Sequence, residues 1–279
     1  FDQSETGNAW PGIKDSRRNP SSSIHNLGIC LQWSTLRSKN GHKGSGNLKS
    51  QFSMPDSIEL HAKLLERAAL SQIRLHPDLA NKLKKYLDLL DHWNKRINLT
   101  SLVNEDKALD RLIIEPLIAA NQIGNDAQSF IDIGSGSGSP AIPINLVYPN
   151  MKMCMVESRS RKAAFLSEAI RELSLSNARV ENCRYEELLP RQAIQNSACL
   201  LTIRSLKLSP AVLKHLGNFI RPGGQIFVFA SEKFSGISKM LEQPFSQEAT
   251  FPLVESLKSH LVVIRKQPIE IKRETEKQL

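Results

Sequence analysis

Phe130-Ile131-Asp132-Ile133-Gly134-Ser135-Gly136-Ser137-Gly138-Ser139-Pro140 decides how this chain is read, together with Glu157, nineteen residues past the last of these glycines. A short apolar run containing an acid ends at three alternate glycines, and a proline then suits the first turn of a helix. A unit of this kind lets the first strand of a parallel sheet turn beneath a nucleotide-like ligand. The glycine spacing separates two adenosine-bearing ligands. Dinucleotide-binding turns use G-x-G-x-x-G, whose third glycine lets the helix approach its strand. Here the pattern is G-x-G-x-G, and Ser139 stands where that third glycine would be. This favours S-adenosylmethionine over NAD. Three glycines taken alone also fit a plain flexible loop.

Downstream of the glycines, strand and helix patterns alternate, as in a parallel sheet with covering helices. Strands are expected at 130–133, 153–156, 179–181, 200–203 and 226–229, and helices near 140–147, 161–173 and 210–219. Arg221-Pro222-Gly223-Gly224 reads as the turn that stops one helix and feeds the fifth strand. Two further strands fit at 250–254 and 260–265, as an antiparallel pair. Five parallel strands and a terminal hairpin make the seven-stranded, Rossmann-like α/β sheet of the class I S-adenosylmethionine-dependent methyltransferases.

Upstream, the pattern is helical. Leu79, Leu83, Tyr86, Leu87, Leu90, Trp93 and Ile97 recur at spacings of three and four, an apolar stripe that Pro77 and Asp78 open and Asn98 closes. One helix is expected before it at 57–72. Another runs from Glu105 towards Glu115, where Pro116 should break or kink it. Lys82, Lys84, Lys85, Lys95 and Arg96 lie off the stripe, where they could meet phosphate or form only a solvated face.

Residues 1–53 have another character: no methionine, clusters of Gly, Ser and Asn, no apolar period, and no acid between Asp15 and Asp56 while arginines and lysines accumulate. This composition is expected to give a disordered basic arm. Three origins compete for it: upstream sequence read as coding with Met54 as the start, an RNA-contacting tail, or a transit-like leader. The expected division is therefore an arm at 1–53, a helical extension at 54–125, a methyltransferase domain at 126–267 and a flexible tail at 268–279.

The whole chain of 279 residues carries a net charge of +9, which points to a polyanionic partner such as nucleic acid, although an ordinary basic protein would also show it. Cys30, Cys154, Cys183 and Cys199 form no C-x-x-C pair, and none of the seven histidines is spaced for a metal. They read as inert thiols in a reducing cytoplasm, with no metal site. No apolar run approaches the roughly 20 residues that a membrane span needs.

Trp93-Asn94-Lys95-Arg96-Ile97-Asn98-Leu99-Thr100 resembles the W-N-K-x-x-N-L-T signature of the RsmG (GidB) methyltransferases, and further pieces come in the same order. Residues 130–143 resemble that family's glycine loop and Arg161-Lys162-Ala163-Ala164-Phe165-Leu166 its K-[KR]-x-x-F-L helix start. Cys183-Arg184-Tyr185-Glu186-Glu187 resembles its x-R-x-E-E segment, and His260-Leu261-Val262-Val263-Ile264 its closing strand. The resemblance covers residues 75–266. It implies transfer of a methyl group from S-adenosylmethionine to N7 of a guanine in bacterial 16S rRNA, by a monomer acting on that RNA or on the small ribosomal subunit. For the cofactor site it implies Gly134, Gly136, Gly138 and Ser139 around the methionine end, with the next α-helix lending its N-terminus to the carboxylate. Glu157 is implied on the ribose hydroxyls, Tyr185 and Glu186 at the adenine, and Arg204 closing the site against cofactor or RNA. A solvated acid is the alternative for Glu157, and an ion pair with a neighbouring acid the alternative for Arg204. Guanine N7 carries a free lone pair and no proton, so no catalytic base is implied; Asp132 and the histidines read as structural.

The chain also departs from the family's pattern. A bulky apolar residue usually stands at the position of Ser139 and glycine at that of Ala141. The segment R-H-x-x-[DE]-S is Arg111-Leu112-Ile113-Ile114-Glu115-Pro116, S-R-A is Ile203-Arg204-Ser205, and a K-G pair is replaced by Ala230-Ser231. These departures keep two other readings open: a methyltransferase with another RNA or a small molecule as acceptor, and a catalytically silent relative that binds RNA or cofactor. NAD-dependent redox chemistry is the remaining enzyme class.

Overall fold

The computed structural model describes residues 57–100, 104–231 and 236–268; the expected arm at 1–53 and nearly all of the expected tail lie outside them. Seven strands form one sheet in the order β3-β2-β1-β4-β5-β7-β6. They are β1 (Ser129–Ile133), β2 (Lys152–Val156), β3 (Ala178–Glu181), β4 (Ala198–Arg204), β5 (Ile220–Ser231), β6 (Phe245–Pro252) and β7 (Ser259–Lys266). The first five are parallel, β7 runs antiparallel beside β5, and β6 pairs antiparallel with β7 at the edge. The chain reverses its winding direction between β1 and β4, so the crevice for a ligand opens at the carboxyl ends of these strands.

Both faces of the central strands are covered, and alternate residues enter opposite cores. Phe130, Met153, Met155, Leu200 and Phe227 pack on the side of the N-terminal helices. Ile131, Ile133, Cys154, Leu201, Ile203 and Ile226 pack on the other. That two-sided burial makes the central strands near-continuous apolar runs. The expected turn at Arg221–Gly224 lies inside β5: Ala198 pairs with Ile220 but Leu200 with Gln225, so the four intervening residues bulge. Gly223, at φ +78°, supplies the left-handed turn this bulge needs.

Helices α1 (Ser57–Leu70) and α2 (Pro77–Asn94) lie on the first of these faces, with Leu60, Leu64, Leu83, Tyr86, Leu87 and Leu90 fully buried. Pro77 occupies the first helical position as expected, and the His76 side chain accepts from Asp78 N–H at 3.4 Å. The helix ends at Asn94 rather than Asn98. The Asn94 carboxamide oxygen accepts from the N–H groups of Leu99 and Thr100 at 2.9 and 3.0 Å, folding the chain back, and Trp93 meets Phe165 edge-on. The Trp93–Thr100 signature is thus a joint between α2 and α6 (Ser160–Glu172).

The expected break at Pro116 is not where the helix yields. Helix α3 (Glu105–Leu109) passes into a π-helical turn (Asp110–Ile114) and then α4 (Glu115–Ala120), with Pro116 inside α4. The Glu115 N–H donates to the Asp110 carbonyl, five residues back. Widening the helix one turn ahead of the proline accommodates the ring without ending the helix. The remaining helices, α5 (Ala141–Val147) and α7 (Pro210–Gly217), cover opposite faces of the sheet. Cys154 is buried, its thiol pushed up to about 11 chiefly by desolvation, and Cys183 and Cys199 are half-buried.

Candidate functional site

The glycine turn leaves β1 with Gly134, Gly136 and Gly138 at φ +74°, +54° and +85°. Only glycine adopts three such angles cheaply, but the three have different work. A Cβ on Gly134 would meet nothing within 4 Å, and one on Gly136 only the Gly134 carbonyl at 3.7 Å. These two line open space, where a ligand's methionine end can lie against backbone. A Cβ on Gly138 would stand 2.5 Å from Ile142 Cδ1 and 3.2 Å from Leu166 Cδ2. Gly138 therefore does what the third glycine of a dinucleotide turn does, one position earlier: it lets α5 close on the sheet. With only seven residues, α5 adds little dipole of its own, and in the loop the N–H groups of Gly134 and Ser135 donate to the Val156 carbonyl and that of Gly138 to the Ser135 carbonyl.

Glu157, 6% exposed, sits just past β2 with both carboxylate oxygens directed at backbone. Its Oε2 accepts from Gly136 N–H at 2.9 Å and its Oε1 from Arg159 N–H at 2.8 Å. The Asn182 carboxamide donates to the Glu157 carbonyl at 2.8 Å, fixing the residue from the next strand as well. Each oxygen keeps a lone pair for a vicinal diol. Glu157 thus links the glycine turn to the place a ribose would occupy. Glu157→Ala should weaken binding of S-adenosylmethionine by about 1–3 kcal/mol, the value of charge-assisted hydrogen bonds lost. Glu157→Gln should lose affinity too, because one amide NH2 must then face a backbone N–H. Calorimetry on both variants measures this, and wild-type affinity in the alanine variant would remove Glu157 from the site.

Asp132, which the sequence suggests is structural, is 1% exposed at the mouth of the turn. Thr202 Oγ1 donates to its Oδ1 at 2.6 Å, while its Oδ2 is buried with no hydrogen-bond partner. Burial raises its pKa to about 6 against the pull of Thr202, Ser135 and the charge of Arg204. An unpartnered carboxylate oxygen beside a glycine cradle suits a ligand's ammonium group. No sequence signal marks it, because the acid's worth lies in what fails to reach it.

The other expected residues are placed differently. Tyr185 is half-buried and Glu186 exposed, both in a single 3₁₀ turn after β3, whose start is fixed by Arg184 N–H donating to Glu187 Oε1 at 2.8 Å. They follow β3, the strand beside β2, whose next residue is Glu157. Ser139 is buried, and its hydroxyl donates to the Leu112 carbonyl at 2.9 Å. Arg204 turns inward: Nη2 lies 3.0 Å from Glu115 Oε2, Nη1 donates to the Arg111 carbonyl at 2.6 Å, and the guanidinium covers the Phe229 ring at 4.6 Å. Desolvation lowers its pKa to about 10. The ion pair with a neighbouring acid is therefore present. Three of the five basic residues noted off the apolar stripe are paired as well: Lys84 with Asp88, Lys85 with Glu172 and Lys95 with Asp91.

A cavity of about 140 Å³ opens at the carboxyl ends of β4 and β5, lined in part by Arg111, Ser205, Leu206, Phe229, Ala230 and Ser231. Ser205 holds φ +61°, an uncommon backbone state for a residue other than glycine. Among the described residues no group of three His, Cys, Asp or Glu is placed to hold a metal, and no helix is long and apolar enough to cross a membrane.

A family model described as rRNA small subunit methyltransferase G matches residues 79–259. A protein of Xanthomonas oryzae named ribosomal RNA small subunit methyltransferase G is 32% identical over 212 residues, covering 72% of this chain and 93% of that protein. One of the same name from Stenotrophomonas maltophilia is 33% identical over 175 residues, 63% of this chain and 78% of that one. Among solved structures, a SAM-dependent methyltransferase from Aquifex aeolicus superposes with a TM-score of 0.45 at 13% identity, over 57% of this chain and 91% of that one.

Proposed function

The chain belongs to the rRNA small subunit methyltransferase G family, and from that premise we propose that it transfers a methyl group from S-adenosylmethionine to N7 of a guanine in 16S rRNA. The observation that carries the cofactor half is the pairing of two open glycines, Gly134 and Gly136, with the unpartnered Asp132 oxygen and the fixed Glu157 carboxylate. When bound, S-adenosylmethionine supplies a methyl group on a positively charged sulfur. The open backbone of the glycine turn borders the methionine end, Asp132 takes the ammonium, Glu157 the ribose, and Tyr185 and Glu186 border the adenine.

The acceptor guanine enters the cavity between the ends of β4 and β5. Its N7 attacks with a lone pair lying in the plane of the ring, so no group on the protein removes a proton. What remains for the chain is orientation, holding nucleophile, methyl carbon and leaving sulfur in line. Phe229 offers an apolar wall to the base and Arg111 a cationic hydrogen-bond donor at the rim. Positive charge moves onto the purine as the methyl arrives, and an aromatic wall tolerates that charge.

Labelled methyl transfer from S-adenosylmethionine to small ribosomal subunits and to rRNA lacking the modification tests this, with the product base mapped. A single N7-methylguanine is expected. Label in another RNA or in a small molecule would move the activity to a different acceptor, and bound cofactor without transfer to any acceptor would make the chain a silent relative.

A further inference from the structure

We infer that Pro116 and Ser139 are positioning residues that act as one device: the proline frees a helix carbonyl, and the serine uses it to dock the cofactor turn. The inference rests on the cofactor site proposed above.

Two carbonyls of the π-turn lose their ordinary helical donors. The α-helical partner of the Arg111 carbonyl is Glu115 N–H, which donates to Asp110 instead. The α-helical partner of the Leu112 carbonyl is residue 116, a proline with no N–H to give. Buried carbonyls need donors. Both find them in the methyltransferase site: Arg204 Nη1, from the end of β4, donates to the Arg111 carbonyl at 2.6 Å, and Ser139 Oγ donates to the Leu112 carbonyl at 2.9 Å. Neighbouring contacts hold the π-turn itself. Arg67 of α1 grips Asp110 through Nε at 2.9 Å and Nη2 at 2.5 Å, and Ser256 Oγ donates to the same carboxylate at 3.0 Å.

The consequence concerns the glycine turn. Its open part, Gly134–Gly136, is held on the β2 side, where the N–H groups of Gly134 and Ser135 donate to the Val156 carbonyl at 2.9 and 3.1 Å and that of Gly136 to Glu157, so its other side depends on residues 137–139. Ser139 fixes the far end to the π-turn, and the buried Tyr86 hydroxyl donates to the Ser137 carbonyl at 2.7 Å. Both tethers come from the N-terminal helices. Pro116 and Ser139, which both depart from the pattern the rest of the sequence keeps, stand at the two ends of one of them. An alanine at 116 would restore an N–H and draw the Leu112 carbonyl back towards the helix axis, away from Ser139.

The test compares Ser139→Ala, Pro116→Ala and the double variant with wild type. Calorimetry reads affinity for S-adenosylmethionine and for 5′-methylthioadenosine, which lacks the amino-acid end. Each single variant should bind S-adenosylmethionine about five- to tenfold more weakly, the loss of one buried hydrogen bond. Methylthioadenosine affinity should stay within about twofold, a split that general destabilisation would not produce. The double variant should be no worse than the weaker single, since both changes break one contact. The melting temperature of Pro116→Ala should not fall, because alanine is the better helix former. Wild-type affinity in both singles, equal losses for both ligands, or additive losses in the double would overturn the inference. Hydrogen exchange of the 134–139 amides, measured without ligand, should quicken in each single variant. That readout decides the inference even if wild type fails to bind S-adenosylmethionine, a result that would refute the cofactor site itself.

Discussion

Gly136→Val should abolish binding of S-adenosylmethionine, with a loss of at least about 100-fold, while leaving the fold standing. Residue 136 holds φ +54°, and a β-branched residue there is a conformational outlier costing roughly 1–2 kcal/mol. The added carbons meet no protein wall, since the nearest heavy atom to a Cβ is the Gly134 carbonyl at 3.7 Å. They enter the space where ligand and backbone would meet. Relaxing to negative φ would instead turn the Gly136 N–H away from Glu157 Oε2, at 2.9 Å, and unseat the acid beside the ribose. Either route removes the site. Gly138→Ala is the contrasting variant: its Cβ would collide with Ile142 at 2.5 Å on α5, so its main loss should be thermal stability. Calorimetry and thermal melts on the two variants separate the roles. Undiminished affinity in the valine variant would take Gly136 out of the site, and equal melting losses would merge two glycines that the geometry keeps apart.

How much of the fold and site is legible in the sequence depends on where each residue's partner lies. The central strands are readable because both faces are buried, which turns Phe130–Ile133 and Met153–Val156 into apolar runs that few other elements produce. The edge strand β6 is only half visible: it begins at Phe245, but Gln247 and Glu248 on its exposed face hide the alternation. Glu157 can be found by spacing, since one short helix and one strand, α5 and β2, separate it from the glycines. The break expected at Pro116 is absent for a different reason. A proline in a helix predicts a break only if its freed carbonyls stay unpaired, and here the donors come from Ser139 and Arg204, 27 and 93 positions away along the chain. Asp132 escapes the sequence in the same way. An acid in an apolar strand suggests a structural hydrogen bond, and Thr202 does supply one. That its second oxygen has no partner is a property of the folded surroundings alone.

Asp132→Asn should make the protein more stable and a poorer cofactor binder at once. Burial raises the Asp132 pKa from an ordinary 3.8 to about 6. Between these values the folded chain keeps a proton that the unfolded chain releases, so stability falls as pH rises through that window and the full cost stands above it. The difference corresponds to roughly 3 kcal/mol at neutral pH, an upper figure for what removing the charge returns. Asparagine keeps the oxygen that accepts from Thr202 but leaves an NH2 group in the buried position, which forfeits part of that return. The melting temperature at pH 7.5 should therefore rise by about 2–8 °C, and the advantage should vanish near pH 4, where both chains are neutral at this position. Affinity for S-adenosylmethionine should fall at least about tenfold at pH 7.5, the loss of a charged partner for the ammonium group. Wild-type affinity should itself decline as pH drops below 6, and the variant's should stay flat across that range. Thermal melts at pH 4 and 7.5 and calorimetry at pH 5 and 7.5 give all four quantities. A variant less stable than wild type at pH 7.5 would mean that Arg204 already offsets the charge. Equal affinities at both pH values in the wild type would assign the ammonium group to a different partner. The expected pairing of gain and loss has one cause: a carboxylate kept dry, with one oxygen unpartnered, costs the fold what it offers the ligand.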